Sequence, residues 1–182
     1  GFGTLTMGRQ DLSFGSGAYF SSNNWGNSRY TTDGMDFAGS FGGFDLNAGT
    51  IGGVNTTSTY MNVSGSFSGI SLNALMIDEN DAKSTGYDLG YSMMGGDLNL
   101  NYSMNDANGA ELTIMGVSWA VMDGISINAE MREYGGDGDF AAANSAWNDG
   151  LNAGVLPHFS NGTETTSYGL SGSFAGVGIN YT

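Results

Sequence analysis

The chain has 182 residues, 32 of them Gly, with one Pro, no Cys and a net charge of −14. Only four side chains are basic (Arg9, Arg29, Lys83 and Arg132) against 18 acidic ones. This excludes nucleic acid as a partner and electrostatic docking onto an anionic lipid surface, since both need Lys and Arg against phosphate. Apolar runs such as Ala74-Leu75-Met76-Ile77 stop far short of the roughly 20 residues that a spanning helix requires, and with no secretory leader in view the chain reads as mature or trimmed.

Period two dominates from the start. A first strand over residues 1–9 leads into a long polar stretch, residues 10–33. From Met35 to Phe41 apolar residues or Gly alternate with small or polar ones, and Phe44, Leu46 and Ala48 repeat the pattern against Asp45 and Asn47. Met61, Val63, Gly65 and Phe67 follow, then Ile70, Leu72, Ala74 and Met76. Tyr87, Leu89, Tyr91 and Met93 alternate with Asp88, Gly90 and Ser92, and Leu98, Leu100, Tyr102 and Met104 with Asp97, Asn99, Asn101 and Ser103. The set Met115, Val117, Trp119 and Val121 precedes Ile125, Ile127, Ala129 and Met131, which oppose Ser126, Asn128, Glu130 and Arg132. Tyr168, Leu170, Gly172 and Phe174 precede a last strand with Val177, Ile179 and Tyr181. These are about eleven strands of a length able to span a bilayer, which takes about 9–11 residues.

The connections fall into two kinds. Gly42-Gly43, Ser68-Gly69, Gly95-Gly96, Asp123-Gly124 and Ala175-Gly176 suit two-residue hairpins with positive φ. Residues 10–33, 52–57, 78–84, 105–109 and 134–165 read as longer polar loops. Phe41, Phe44, Phe67, Trp119 and Phe174 flank the short turns, while Tyr60, Tyr87, Tyr102, Tyr134, Tyr168 and Tyr181 lie toward the long loops, as two interfacial aromatic bands. The fold class expected is all-β: an antiparallel up-and-down transmembrane β-barrel of about 11–12 visible strands, possibly part of a larger barrel. It forms a single domain over residues 1–182, and the odd strand count leads us to expect a missing strand at the C-terminus. A soluble β-sandwich also alternates, but it accounts for neither the two turn classes nor the paired bands.

Across the alternating stretches named above, the apolar phase carries no charge from the second strand onward. The other phase holds Asp36, Asp45, Asp88, Asp97, Glu130 and Arg132, which with Asn99, Asn101 and Asn128 are the expected pore-lining residues. Inward carboxylates favour cations or neutral solutes; hydrogen bonding across a plugged interior is the alternative. Arg9 and Arg29 are candidates to pair with Asp11 and Asp33 and so pin the first loop, the alternative being solvated loop charge.

The string Gly8-Arg9-Gln10-Asp11-Leu12-Ser13-Phe14-Gly15, followed by Trp25-Gly26-Asn27-Ser28-Arg29 and Asp33-Gly34, resembles the alginate-export family of outer-membrane porins over about 30 residues. The resemblance implies a diffusion channel with more strands than this chain supplies. The family's exporters have a strongly basic lumen, whereas here Arg132 is the single base in the clear inward phase.

His158-Phe159-Ser160-Asn161-Gly162 resembles the His-x-Ser-Asn-Gly signature of outer-membrane phospholipases. Residues two apart on a strand share a face, so His158 as base and Ser160 as nucleophile are catalytic candidates. Asp137 and Asp139, like the acidic run Asp78-Glu79-Asn80-Asp81, offer oxygen ligands to Ca²⁺, with a solvated acidic loop as the plain alternative. No other cofactor is implied.

The function expected is a porin-like channel in a bacterial outer membrane, passing small neutral or cationic solutes. Its expected partners are outer-membrane lipid and either further copies of the chain or other membrane subunits. A lipid hydrolase using His158 and Ser160, and a structural or adhesive surface β-protein, remain as alternatives.

Overall fold

The computed structural model describes residues 3–20, 31–52, 57–79, 82–140, 159–174 and 177–181. Its strands are β1 (Thr4–Gln10), β2 (Thr32–Phe41), β3 (Phe44–Gly52), β4 (Thr57–Phe67), β5 (Ile70–Glu79) and β6 (Ala82–Met93), then β7 (Leu98–Ala107), β8 (Ala110–Met122), β9 (Ile125–Gly136), β10 (Glu164–Phe174) and β11 (Val177–Tyr181). They form one antiparallel sheet in chain order, with β1 and β11 as its edges among the described residues. This is the up-and-down barrel-type meander that the alternation predicts. No described helix is long and apolar enough to cross a membrane; β2 to β10, of 9 to 13 residues, are long enough to do so.

The two-residue turns follow from residues that tolerate positive φ. Gly42 and Gly43 sit at φ +62° and +87°, the mirror-image turn whose twist matches the flanking strands. Between β6 and β7 the expected Gly95-Gly96 turn is instead a three-residue 3₁₀ turn, Met94–Gly96. The Ala175-Gly176 turn lies outside the described residues.

Three of the expected long loops are short. β5 runs to Glu79 and β6 starts at Ala82; β7 ends at Ala107 and β8 starts at Ala110, joined by Asn108 (φ 55°) and Gly109 (φ 93°); only residues 53–56 separate β3 from β4. Beyond the apolar zone both phases of a strand turn polar, so the alternation fades while the ladder continues. Asp78 still pairs in register with Lys83, and Asp106 with Glu111. The long connections are residues 11–31 and 137–163.

The face bearing the apolar phase is exposed. Twenty-six large apolar side chains point out among the described residues, including Phe41 at 90%, Phe67 at 83% and Tyr168 at 71% exposure. In water such a surface drives association; on a barrel wall it is the lipid face. Phe44 and Trp119 share this face near the short turns, as do Tyr87 and Tyr102 farther along. The interfacial band expected at the long-loop end is corrected at two positions. Tyr60 and Tyr134, 4% and 1% exposed, lie on the inner face, because they share the phase of Asn62 and Arg132. The side chains of Phe174 and Tyr181 are outside the described ones.

The inner face is set by register. One row crosses seven strands as Asn47, Asn62, Leu75, Gly86, Asn105, Leu112 and Tyr134, each paired with the next. Toward the long loops this face is apolar, with Ile51, Leu75, Ile77, Leu112 and Ile114 buried together with Tyr60 and Tyr134.

Candidate functional site: an acidic cavity beneath the first loop

Residues 11–20 leave β1 and pack onto the inner face. Leu12, Ala18, Tyr19 and Phe20 are buried against the apolar inward residues, with Phe140 from the second long connection joining them. Phe14 and Phe20 meet at 5.4 Å, and both rings contact Tyr60, at 5.5 and 5.6 Å. Burial of each such ring contributes about 1.5–3 kcal/mol, which offsets the entropy of ordering the loop.

Polar contacts fix the loop's register. The Tyr19 hydroxyl donates to the Thr85 carbonyl at 3.0 Å, the Ser16 N–H donates to Asp88 at 3.1 Å, and the Ser103 hydroxyl donates to Ser16 at 3.1 Å. Burial pushes the Tyr19 phenol well above its ordinary pKa, and the charge of Asp106 adds to the shift. Two glycines make room. At Gly15 (φ +54°) a Cβ would run into the Asp88 carboxylate, and at Gly86 it would meet Asn105 Oδ1 at 2.9 Å and the Tyr19 ring at 3.3 Å.

Beneath the loop, toward the short turns, lies a cavity of about 1320 Å³ with Asp11 to Ser16 as its ceiling and β1 to β7 as its wall. Among the described residues nine serines and threonines, five carboxamides and four carboxylates line it, and no Lys, Arg or His does. The carboxylates are Asp11, Asp36, Asp45 and Asp88. Asp36, only 6% exposed, accepts from the Tyr60 hydroxyl at 2.6 Å and from Asn47 at 3.3 Å. Asp45 accepts from the Ser40 hydroxyl, and Asp88 from Asn73 at 2.9 Å as well as from the loop. Neutral donors thus hold three of the four carboxylates with no compensating cation among the described residues, which give the cavity a negative field.

Of the residues expected to line a pore, Asp36, Asp45, Asp88 and Asn101 border this cavity. Asp97 is exposed at the end of the 3₁₀ turn, outside it. Asn99 accepts from Ser92 at 2.6 Å and donates to the Gly96 carbonyl at 2.8 Å, bracing that turn. Asn128 is exposed on the inner face opposite Gly169. Glu130 and Arg132 do not border the cavity either. They form an ion pair at 2.5 Å, because residues two apart on β9 share a face.

The loop-pinning expectation needs correction. Arg9 pairs with Asp33 at 3.1 Å across β1 and β2, two register partners on the outer face, so this ion pair joins strands and does not hold the loop. Asp11 is exposed at the cavity rim, and Arg29 lies outside the described residues. What holds the loop is aromatic packing with Ser16 and Tyr19. One sequence signal pointed to it: Tyr60, Leu75, Ile77, Leu112 and Ile114 are apolar residues on the otherwise polar phase.

His158 also lies outside the described residues, and Ser160 is exposed, its carbonyl accepting from the Thr163 N–H at 3.2 Å. Asp139 accepts from the Asn161 N–H at 2.8 Å, and the Asp137 N–H donates to the Gly109 carbonyl at 2.7 Å. Among the described residues no three candidate metal ligands come together.

No protein-family model matches the chain, and no curated protein matches it. Among solved structures it is similar to a doubly substituted variant of OccD1 (OprD), with a TM-score of 0.68 and 14% identity over 92% of this chain and 49% of that one. The likeness is one of fold: a porin-type barrel wall of the OprD kind, not of the alginate-export porins in particular. The chain spans about half the length of that structure.

Proposed function

We propose that this chain forms channel wall in a bacterial outer membrane and that the acidic cavity is a stretch of its solute path, open to small neutral or cationic solutes. The observation that carries this reading is a cavity bordered, among the described residues, by four carboxylates and no base, on the face opposite an exposed apolar one. Inward carboxylates raise the local concentration of cations and repel anions, while neutral solutes pass on size and hydrogen bonding. The outer face would contact lipid acyl chains, and the loop over residues 11–20 would narrow the path.

Planar-bilayer recording of the detergent-folded protein under a KCl gradient tests it. The expected result is discrete conductance steps with cation preference, and a weaker preference in an Asp36→Asn/Asp88→Asn variant, which keeps one acceptor oxygen at each position and removes two charges. A folded protein that gives no steps, or steps with anion preference, would overturn the proposal.

A further inference from the structure

One row of the inner face alternates polar side chains with glycine. Ser71, Gly90, Asn101, Gly116 and Glu130 stand opposite one another in register across β5 to β9. The row lies one inward position nearer the short turns than Asn73, Asp88 and Ser103. Ser71, Gly90 and Asn101 border the cavity; Gly116 does not. Each glycine of the row is roofed by a neighbour's side chain. A Cβ on Gly116 would run into the Asn101 carboxamide, with Nδ2 at 2.7 Å and Cγ at 2.9 Å, and a Cβ on Gly90 would run into the Ser71 hydroxyl. On the next strands Asn128 covers Gly169, its register partner, in the same way. Gly34, which shares the phase of Asp36, is different: there the obstacle is the Thr50 backbone carbonyl, which cannot step aside. In the row the obstacle is the movable end of a side chain, so an added methyl group turns that side chain off the wall and leaves the ladder intact.

From this we infer that Gly116 and Gly90 are positioning residues that set the bore of the channel: they let Asn101 and Ser71 lie flat on the wall, and so decide how large a solute passes. The inference rests on the channel reading and adds to it the residues that discriminate by size. Side chains on a strand stand roughly perpendicular to the sheet, and on this face that direction leads into the cavity. Over a glycine there is room to fold down onto the neighbouring strand instead. A glycine inside a strand weakens it and marks a place where another group approaches closely. Here the approaching group is a side chain that borders the solute path, which gives the glycine a part in width as well as in packing. Gly116 acts through Asn101 alone, since it does not itself border the cavity.

The experiment is a double-substitution cycle on Gly116 and Asn101, read by proteoliposome swelling with glucose and with maltose and by planar-bilayer conductance in KCl. Gly116→Ala adds one methyl group outside the cavity. The proposal expects it to lower the conductance step and to lower the maltose-to-glucose rate ratio below that of the parent. Asn101→Ala removes the side chain that would be displaced, so adding Gly116→Ala to it should change neither reading further. Gly90→Ala, alone and with Ser71→Ala, repeats the cycle should β8 not fold with the methyl group; the Ser71 Cβ that remains lies 3.6 Å away, an ordinary contact. Folded glycine variants that leave both readings unchanged, or that lower them equally with Asn101 or Ser71 already truncated, overturn the inference and leave the channel standing. Absence of conductance steps in the parent protein overturns the channel reading and the inference with it.

Discussion

The two halves of the inner face are built by the same strands and the same alternation, yet they have opposite characters. Toward the long loops, Ile51, Leu75, Ile77, Leu112 and Ile114 are packed dry under Tyr19, Phe20 and Phe140. Toward the short turns, the wall continues as Asp45, Ser64, Asn73 and Asp88 around an open cavity. Period two decides which face a residue joins. Whether that stretch of the face becomes core or wet wall depends on what covers it, and here the cover is residues 11–20.

The sharpest way to break this comparison is to remove its dry half. Leu112 is 0% exposed, and Leu112→Ala should cost about 2–5 kcal/mol in equilibrium unfolding from detergent. A loss well under that range would mean that the loop-covered half is not a packed core.

Next comes the contrast between the inner and outer faces. Met115, 38% exposed on the outer face near the middle of β8, should cost about 2–4 kcal/mol as Met115→Arg when folding is measured in lipid bilayers. An arginine tolerated there would argue against lipid contact.

The loop itself can be released from its seat. Gly86→Val places a side chain where the Tyr19 ring sits, at an overpacking cost of about 1–3 kcal/mol, and should open Tyr19 and Phe20 to chymotrypsin. Unchanged cleavage would show that Tyr19 is not seated against Gly86.

The smallest effect is one of pH. Because burial raises the Tyr19 pKa, the loop's contribution is fully present below the unfolded value of about 10 and is lost as pH rises through the raised folded value. The phenolate signal of Tyr19, taken as the difference from a Tyr19→Phe variant, should appear only above about pH 10, together with protease sensitivity of the loop. Ionisation at lower pH with the loop still protected would contradict its burial.

Much of the fold was legible because alternation is a local consequence of strand geometry. Eleven strands, their order and their two faces follow from residues such as Leu98, Leu100, Tyr102 and Met104 against Asn99, Asn101 and Ser103. Strand ends were not legible: polar pairs such as Asp78 with Lys83 look like loop yet belong to the ladder. Asp36, Asp45, Asp88 and Asn101 could be placed on the inner face by phase alone. Asp97 could not be placed at a turn rim, nor could Glu130 and Arg132 be seen to neutralise each other away from the cavity.

By itself, then, the sequence determined a meander with one apolar and one polar face, because side-chain direction repeats every two residues wherever a strand forms. Only the tertiary structure decided that the first loop turns inward. The contacts that seat it, Tyr19 with Thr85, Ser16 with Asp88 and Ser16 with Ser103, join residues 66, 72 and 87 positions apart. No local pattern encodes contacts at that separation. They form because the folded sheet brings glycine gaps and aliphatic side chains of distant strands to one place, where a loop of aromatic residues can bury itself.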